Sequence, residues 1–174
     1  MTVASCYRPC FTVRLGKRSI RLAILTLAVL GPATGFSWTD DVTKDPLTRQ
    51  ERCLLRSEVQ TIQDGYGETP VSLVINDEAL LVVTESQIDP SFGDLEVVVD
   101  DKAPLKTAKV AKDKVLVFDH DRAMLIDQFK AGAWATIYLR FWPTWPATQR
   151  FPAKFTLKGF TKAYSDFERC RENR

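Results

Sequence analysis

From Cys53 to Leu157 the apolar residues of this chain recur at every second position, in short runs broken by turn residues, and no other feature restricts its fold as much. A period of two places alternate side chains on opposite faces, so each run describes a half-buried strand rather than a helix. Leu55, Ser57, Val59 and Thr61 share one face of the first run, which stops at the turn-forming Asp64-Gly65-Tyr66-Gly67. Val71, Leu73 and Ile75 carry the second, and Asn76-Asp77-Glu78 turns it into Leu80 to Thr84, a predicted hairpin. Leu95, Val97 and Val99 then face inward, with Asp94, Glu96 and Asp100 facing solvent. A weaker lysine-rich strand runs from Leu105 to Val110 and is followed by Val115 to Phe118. Ala135, Ile137, Leu139 and Phe141 alternate with Thr136, Tyr138 and Arg140, and a last strand holds Phe155 and Leu157. About seven or eight strands without long intervening helices predict a mainly β domain, an antiparallel β-sandwich or barrel-like fold.

Two short helices interrupt the alternation. Asp121 is placed to cap a helix over Arg122 to Ala131, with Leu125, Ile126 and Phe129 as its apolar stripe and Gly132 as its stop. Phe160, Ala163, Tyr164, Phe167 and Cys170 recur at helical spacing near the C-terminus, so Cys170 belongs to the face that packs on the sheet.

The N-terminal region reads as an address. Arg14, Lys17, Arg18 and Arg21 precede the apolar stretch Leu22 to Leu30, followed by Gly31-Pro32 and the small residues Ala33-Thr34-Gly35, the pattern of a cleavable export signal over 1-35. An uncleaved anchor is the alternative, since residues 22 to 39 carry no charge. Residues 36-52 are polar and read as an extended lead-in, and 53-174 as a single β-rich domain. Cys6 and Cys10 would leave with the signal; Cys53 and Cys170 remain, and an oxidising compartment predicts a disulfide between them. The whole chain has 24 Lys and Arg against 22 Asp and Glu, but five of the basic residues precede Phe36, which leaves 19 against 22. A mildly acidic domain argues against general nucleic-acid binding, which needs clustered positive charge. The expected location is periplasmic or secreted, with no stable membrane span after signal cleavage.

The strand-to-helix ending Phe155-Thr-Leu-Lys-Gly-Phe160-Thr-Lys-Ala163, with an early Trp38 and a Cys opening the first strand, resembles the invasion-associated locus B family of bacterial exported proteins. The resemblance implies a small periplasmic or envelope β-sandwich protein linked to host-cell invasion, with no established enzyme activity. It covers the C-terminal strand and helix closely and the remainder in outline. The internal cysteine pair common in the middle of that family has no counterpart here.

The densest unusual feature is Phe141-Trp142-Pro143-Thr144-Trp145-Pro146, with Trp134, Tyr138 and Phe151 close by in sequence. Proline after each Trp prevents ladder pairing and predicts a bent, rigid loop leaving a strand, with either Trp–Pro bond free to be cis. Trp142, Trp145, Tyr138 and Phe141 are the candidate binding residues, suited to an apolar partner side chain or a sugar ring; the alternative is that both indoles plug the sandwich core. His120, the sole histidine, sits in Phe118-Asp-His-Asp-Arg122, a turn whose adjacent ligands lack the spacing of a metal site. Asp64, Glu68, Glu85, Asp89 and Asp94 lie near turns and are read as turn chemistry rather than as a glycosidase pair. Lys102, Lys106, Lys109, Lys112 and Lys114 suit the protection of an edge strand, or contact with anionic lipid. No catalytic motif, cofactor loop or metal-type Cys/His spacing is present in the sequence. The expected function is a non-catalytic binding role in the cell envelope, toward an unknown protein or glycan partner. The alternative is a carbohydrate-binding or carbohydrate-cleaving protein using the Trp142/Trp145 loop.

Overall fold

Alternation builds two sheets in the computed structural model, which describes residues 37–173; the export signal expected over 1-35, Cys6 and Cys10 lie outside the described residues. In chain order the elements are β1 (Trp38–Lys44), β2 (Glu51–Ser57), β3 (Gln60–Gln63), β4 (Glu68–Ile75), β5 (Leu80–Thr84), β6 (Glu96–Val99), β7 (Leu105–Lys106), β8 (Val110–Ala111), β9 (Val115–Phe118), α1 (Arg122–Ala131), β10 (Trp134–Leu139), β11 (Phe151–Thr156) and α2 (Phe160–Glu172). One sheet has the order β1-β2-β4-β5-β9-β8, with β3 pairing the outer part of β4; the other has the order β11-β10-β6-β7. Every pairing is antiparallel, and the sheets do not close into a barrel.

The main core lies between the sheets. Leu55, Leu73, Ile75, Leu80, Val82 and Leu116 from one sheet meet Val97, Val99, Ala135, Ile137, Leu139 and Phe155 from the other, all buried. The predicted hairpin is present, with Ile75 opposite Leu80 and Val71 opposite Thr84. The Asn76 side chain closes its turn, Oδ1 accepting from the N–H groups of Glu78 at 2.9 Å and Ala79 at 2.8 Å.

Three expectations about the strands need correction. The run Leu55 to Thr61 is two strands, because the Ser57 hydroxyl accepts the Leu73 N–H at 2.9 Å in place of a ladder carbonyl, and Val59 in the gap is exposed. The lead-in is not outside the domain: Trp38–Lys44 pairs along its whole length with β2, and Trp38 is buried, its Nε1 donating to the Thr156 carbonyl at 2.8 Å. The lysine-rich segment is not one strand. It leaves the smaller sheet after Lys106 and joins the larger one at Val110, with the Thr107 hydroxyl donating to the Val117 carbonyl at the crossing.

Both helices occupy their predicted spans. Gly132 follows α1 in an extended conformation rather than the left-handed one expected of a helix stop, and Asp121 makes no side-chain cap. Close approach accounts for this glycine: a Cβ there would sit 2.5 Å from Val99 Cγ1. On α2, Phe160, Ala163, Tyr164 and Phe167 are buried, and Trp38, Phe129 and Phe160 pack edge to face. Cys170 on the same face bonds Cys53 on β2, with their Cα atoms 6.0 Å apart. The bridge pins the terminal helix to the sheet. No helix among the described residues is long and apolar enough to cross a membrane.

Candidate functional site

The residues that follow β10 form a loop fixed from several directions. Phe141 still bridges Ile88, the Trp142 N–H donates to the Gln87 carbonyl at 2.8 Å, and the Asp89 N–H donates to the Arg140 carbonyl at 2.9 Å. Both Trp–Pro bonds, Trp142–Pro143 and Trp145–Pro146, are cis. Between them Thr144 turns inward and is buried, its hydroxyl donating to the Asp89 carboxylate. From the far side the Tyr66 hydroxyl lies 3.1 Å from the Pro143 carbonyl and 2.8 Å from that of Trp145, donating to one at a time. The Asp64–Gly67 turn that carries Tyr66 presses close against the loop. Gly65, at φ 98°, leaves so little room that a Cβ there would fall 2.7 Å from Ala147 Cβ.

This frame holds two indoles in solvent. Trp142 is 60% exposed and Trp145 80%, with Phe92 at 54% facing the same space. Phe92, Trp142, Pro143 and Trp145, with the buried Asp89 and Thr144, line a cleft of about 550 Å³. Trp142 also lines a second hollow of about 260 Å³ beside Pro90 and Asp113. Soluble domains seldom leave large aromatics this open on an immobilised backbone unless something covers them.

The charges around the cleft are ordered. Arg140 grips Asp94 with Nε 3.0 Å from Oδ1 and Nη2 2.7 Å from Oδ2, donates to the Thr148 carbonyl, and lays its guanidinium over the Phe92 ring at 4.4 Å. That grip holds the Asp94 carboxyl below its usual pKa. For Asp89, burial raises the pKa, but hydrogen bonds from Ser91 and Thr144 and the Arg140 charge outweigh it, so the group is held below its usual value and stays ionised at neutral pH.

Of the residues predicted for the site, Trp142 and Trp145 come together and two do not. Phe141 is buried in the core against Phe151, 5.9 Å between ring centroids, so it anchors the loop and presents no surface. Tyr138 lies on the outer face of β10 with the Arg150 guanidinium 4.6 Å over its ring, outside the cleft. The indoles do not plug the core. Sequence reasoning misses Phe92 and Tyr66 and takes Asp89 for turn chemistry alone; the available signal is an aromatic set among turn residues, Ser91-Phe92-Gly93 and Gly65-Tyr66-Gly67.

The other candidates disperse. His120 is exposed, its Nδ1 2.8 Å from Asp119, and among the described residues no group of three His, Cys, Asp or Glu is placed to hold a metal ion. Asp64 accepts from Ser86 and its own turn, Asp89 from Thr144, and Asp94 from Arg140; all three are held below the usual carboxylate pKa, opposite to what a general acid needs. Glu96, predicted to face solvent, is largely buried under Arg150, Nη1 at 2.6 Å. Lys102 reaches the Gln128 carbonyl, Lys106 faces Glu96, Lys109 pairs with Asp119, and Lys112 donates to the Pro46 and Leu47 carbonyls. No protein-family model, curated protein or solved structure matches this chain.

Proposed function

We propose that this is an exported, non-catalytic binding protein that acts in the periplasm or outside the cell and uses the Trp142/Trp145 cleft as its contact surface. The observation that carries the reading is the exposure of both indoles on a backbone tied down by Tyr66, Gln87, Asp89 and Thr144. A pre-ordered aromatic surface binds without the entropy cost of ordering a loop. The Cys53–Cys170 disulfide suits an oxidising compartment, and the likeness of the C-terminal strand and helix to the invasion-associated locus B family suits the cell envelope. The hydrogen-bonding groups at the base of the cleft are already engaged, which weighs against a polyol that must satisfy many hydroxyls there.

Two experiments test the reading. Intact mass of protein recovered from a periplasmic fraction should show a species beginning near Phe36 that resists alkylation until reduced; a full-length membrane-bound species with free thiols ends the export claim. Tryptophan fluorescence titrated with a panel of envelope peptides and glycans should respond for the wild type and not for Trp142→Ala/Trp145→Ala at unchanged melting temperature. A double variant that responds like the wild type moves the contact surface elsewhere.

A further inference from the structure

A buried carboxylate normally has a cation beside it, because burying an unpaired charge is costly. Asp89, 4% exposed, has none in contact: among the described residues it forms no salt bridge, and its two oxygens accept from the Ser91 N–H at 2.9 Å and from the Thr144 hydroxyl. The cation whose charge acts on it, Arg140, is committed to Asp94 by a two-pronged grip. Arg150 is likewise held by Glu96 and Asp94. Asp89 is therefore a buried carboxylate without a contact ion pair, its charge met only at a distance by Arg140, at the base of a cleft whose walls are Phe92, Trp142 and Trp145.

Aromatic faces carry negative potential and attract cations, most strongly for Trp. Two open indole walls and an anionic base make the cleft electrostatically complementary to a positive charge, while one face of Phe92 already carries the Arg140 guanidinium. The kind of cation follows from hydrogen bonding. A primary ammonium has three N–H donors to satisfy, and the carboxylate that would accept them is almost sealed from the cleft. A quaternary ammonium has no N–H to satisfy, presents methyl groups to the rings, and needs only the field of the carboxylate. We propose that the cleft binds a quaternary ammonium group carried by a small organic solute, held against Trp142 and Trp145 over the charge of Asp89, with Phe92 closing the side. This inference rests on the cleft being the contact surface and names the chemistry of its ligand.

The test compares choline with its uncharged carbon analogue, in which a tert-butyl group replaces the trimethylammonium, by tryptophan fluorescence and calorimetry on the disulfide-bonded protein. Choline should bind about tenfold more tightly than the analogue, the size of a partly desolvated cation–π contact. Asp89→Asn should weaken that preference while retaining binding of the analogue, and Trp142→Ala/Trp145→Ala should remove both. Equal binding of the two ligands overturns the cation assignment and leaves an apolar cleft in place. No response to choline at millimolar concentration overturns it too, while a retained response to envelope peptides keeps the contact surface. The choline comparison uses the unaltered chain, so a folding defect in either variant does not change what it decides.

Discussion

The Tyr66 hydroxyl stands 2.8 Å from the carbonyl oxygen of Trp145, joining the turn after β3 to a loop seventy-nine residues away. Through it the exposed indole is held from its own backbone. Tyr66→Phe should cost about 1 kcal/mol of unfolding free energy, the usual worth of one hydrogen bond, because water can reach the freed carbonyl. Hydrogen exchange of the Trp142 amide, which donates to the Gln87 carbonyl, should rise more than that of β10. Unchanged exchange would mean that Thr144 and Asp89 hold the loop alone.

Trp38 makes the segment before β2 part of the fold. Its ring packs on Phe160 at 4.8 Å and Phe129 at 6.1 Å, and its Nε1 donates to the carbonyl of Thr156, the last residue of β11. Trp38→Ala should destabilise by about 3–5 kcal/mol, and Trp38→Phe by less, since the ring contact survives and mainly the hydrogen bond is lost. Urea denaturation measures both. A loss below about 1 kcal/mol for the alanine variant, the range of an ordinary surface change, would return Trp38–Lys44 to the status of a loose lead-in.

What is legible in the chain follows from the range of each signal. Alternation at Leu95, Val97 and Val99, or helical spacing from Phe160 to Cys170, is local and is borne out in the sheets and in α2. Cys53 and Cys170 can be paired because no other cysteine follows residue 35. The Trp38 strand is not legible: Asp40 and Asp41 hide its period, and its partners lie in β2 and β11. Lys106 and Lys109 read as neighbours on one strand, yet the chain changes sheets between them. The Trp142–Trp145 loop is visible as an aromatic cluster, but its exposure depends on Tyr66, Asp89 and Phe92, each brought in by tertiary contacts that no local pattern announces.

The disulfide spans 117 residues, and a crosslink over so long a loop removes much conformational entropy from the unfolded chain. Cys53→Ala/Cys170→Ala should lose about 3–5 kcal/mol on that model. The fold should survive, because Phe160, Tyr164 and Phe167 still anchor α2 in the core. The expected result is a lower denaturation midpoint with a near-native circular dichroism spectrum. Loss of the helical signal at zero denaturant would assign the docking of α2 to the bridge rather than to its apolar face.

Two glycines make a matched pair. A methyl at Gly132 would meet Val99 Cγ1 at 2.5 Å and the Gln128 carbonyl at 3.0 Å, whereas one at Gly67 would meet nothing within 4 Å. Gly132→Ala should destabilise by about 1–3 kcal/mol through overpacking. Gly67→Ala should fall within about 0.5 kcal/mol of the wild type. Similar losses at both sites would show that conformational freedom, rather than space, governs Gly132.

Acid should unfold the domain through carboxylates that are better off ionised in the native state. Asp119 is held down to about 2, chiefly by the hydrogen bond from the Lys109 ammonium, with burial opposing it and His120 assisting. Asp45 is also lowered: burial raises it, but the Leu47 and Thr48 amides and the Asn76 side chain outweigh that. A carboxyl with a depressed native pKa contributes fully above its unfolded value, 3.8 for Asp119, and that contribution is lost as pH falls toward the native one. Unfolding free energy should therefore stay level with respect to these groups from neutral pH down to about 5 and decline between about 4 and 2. Lys109→Met should lower stability modestly at pH 7, by an amount discounted because the pair is partly exposed, and make the decline shallower by the same amount as Asp119 returns toward its ordinary value. Denaturation curves for both proteins across that range decide the matter. An identical acid limb in the two would show that Lys109 does not set the Asp119 titration, and would move acid sensitivity to the Asp45, Asp64, Asp89 and Asp94 networks.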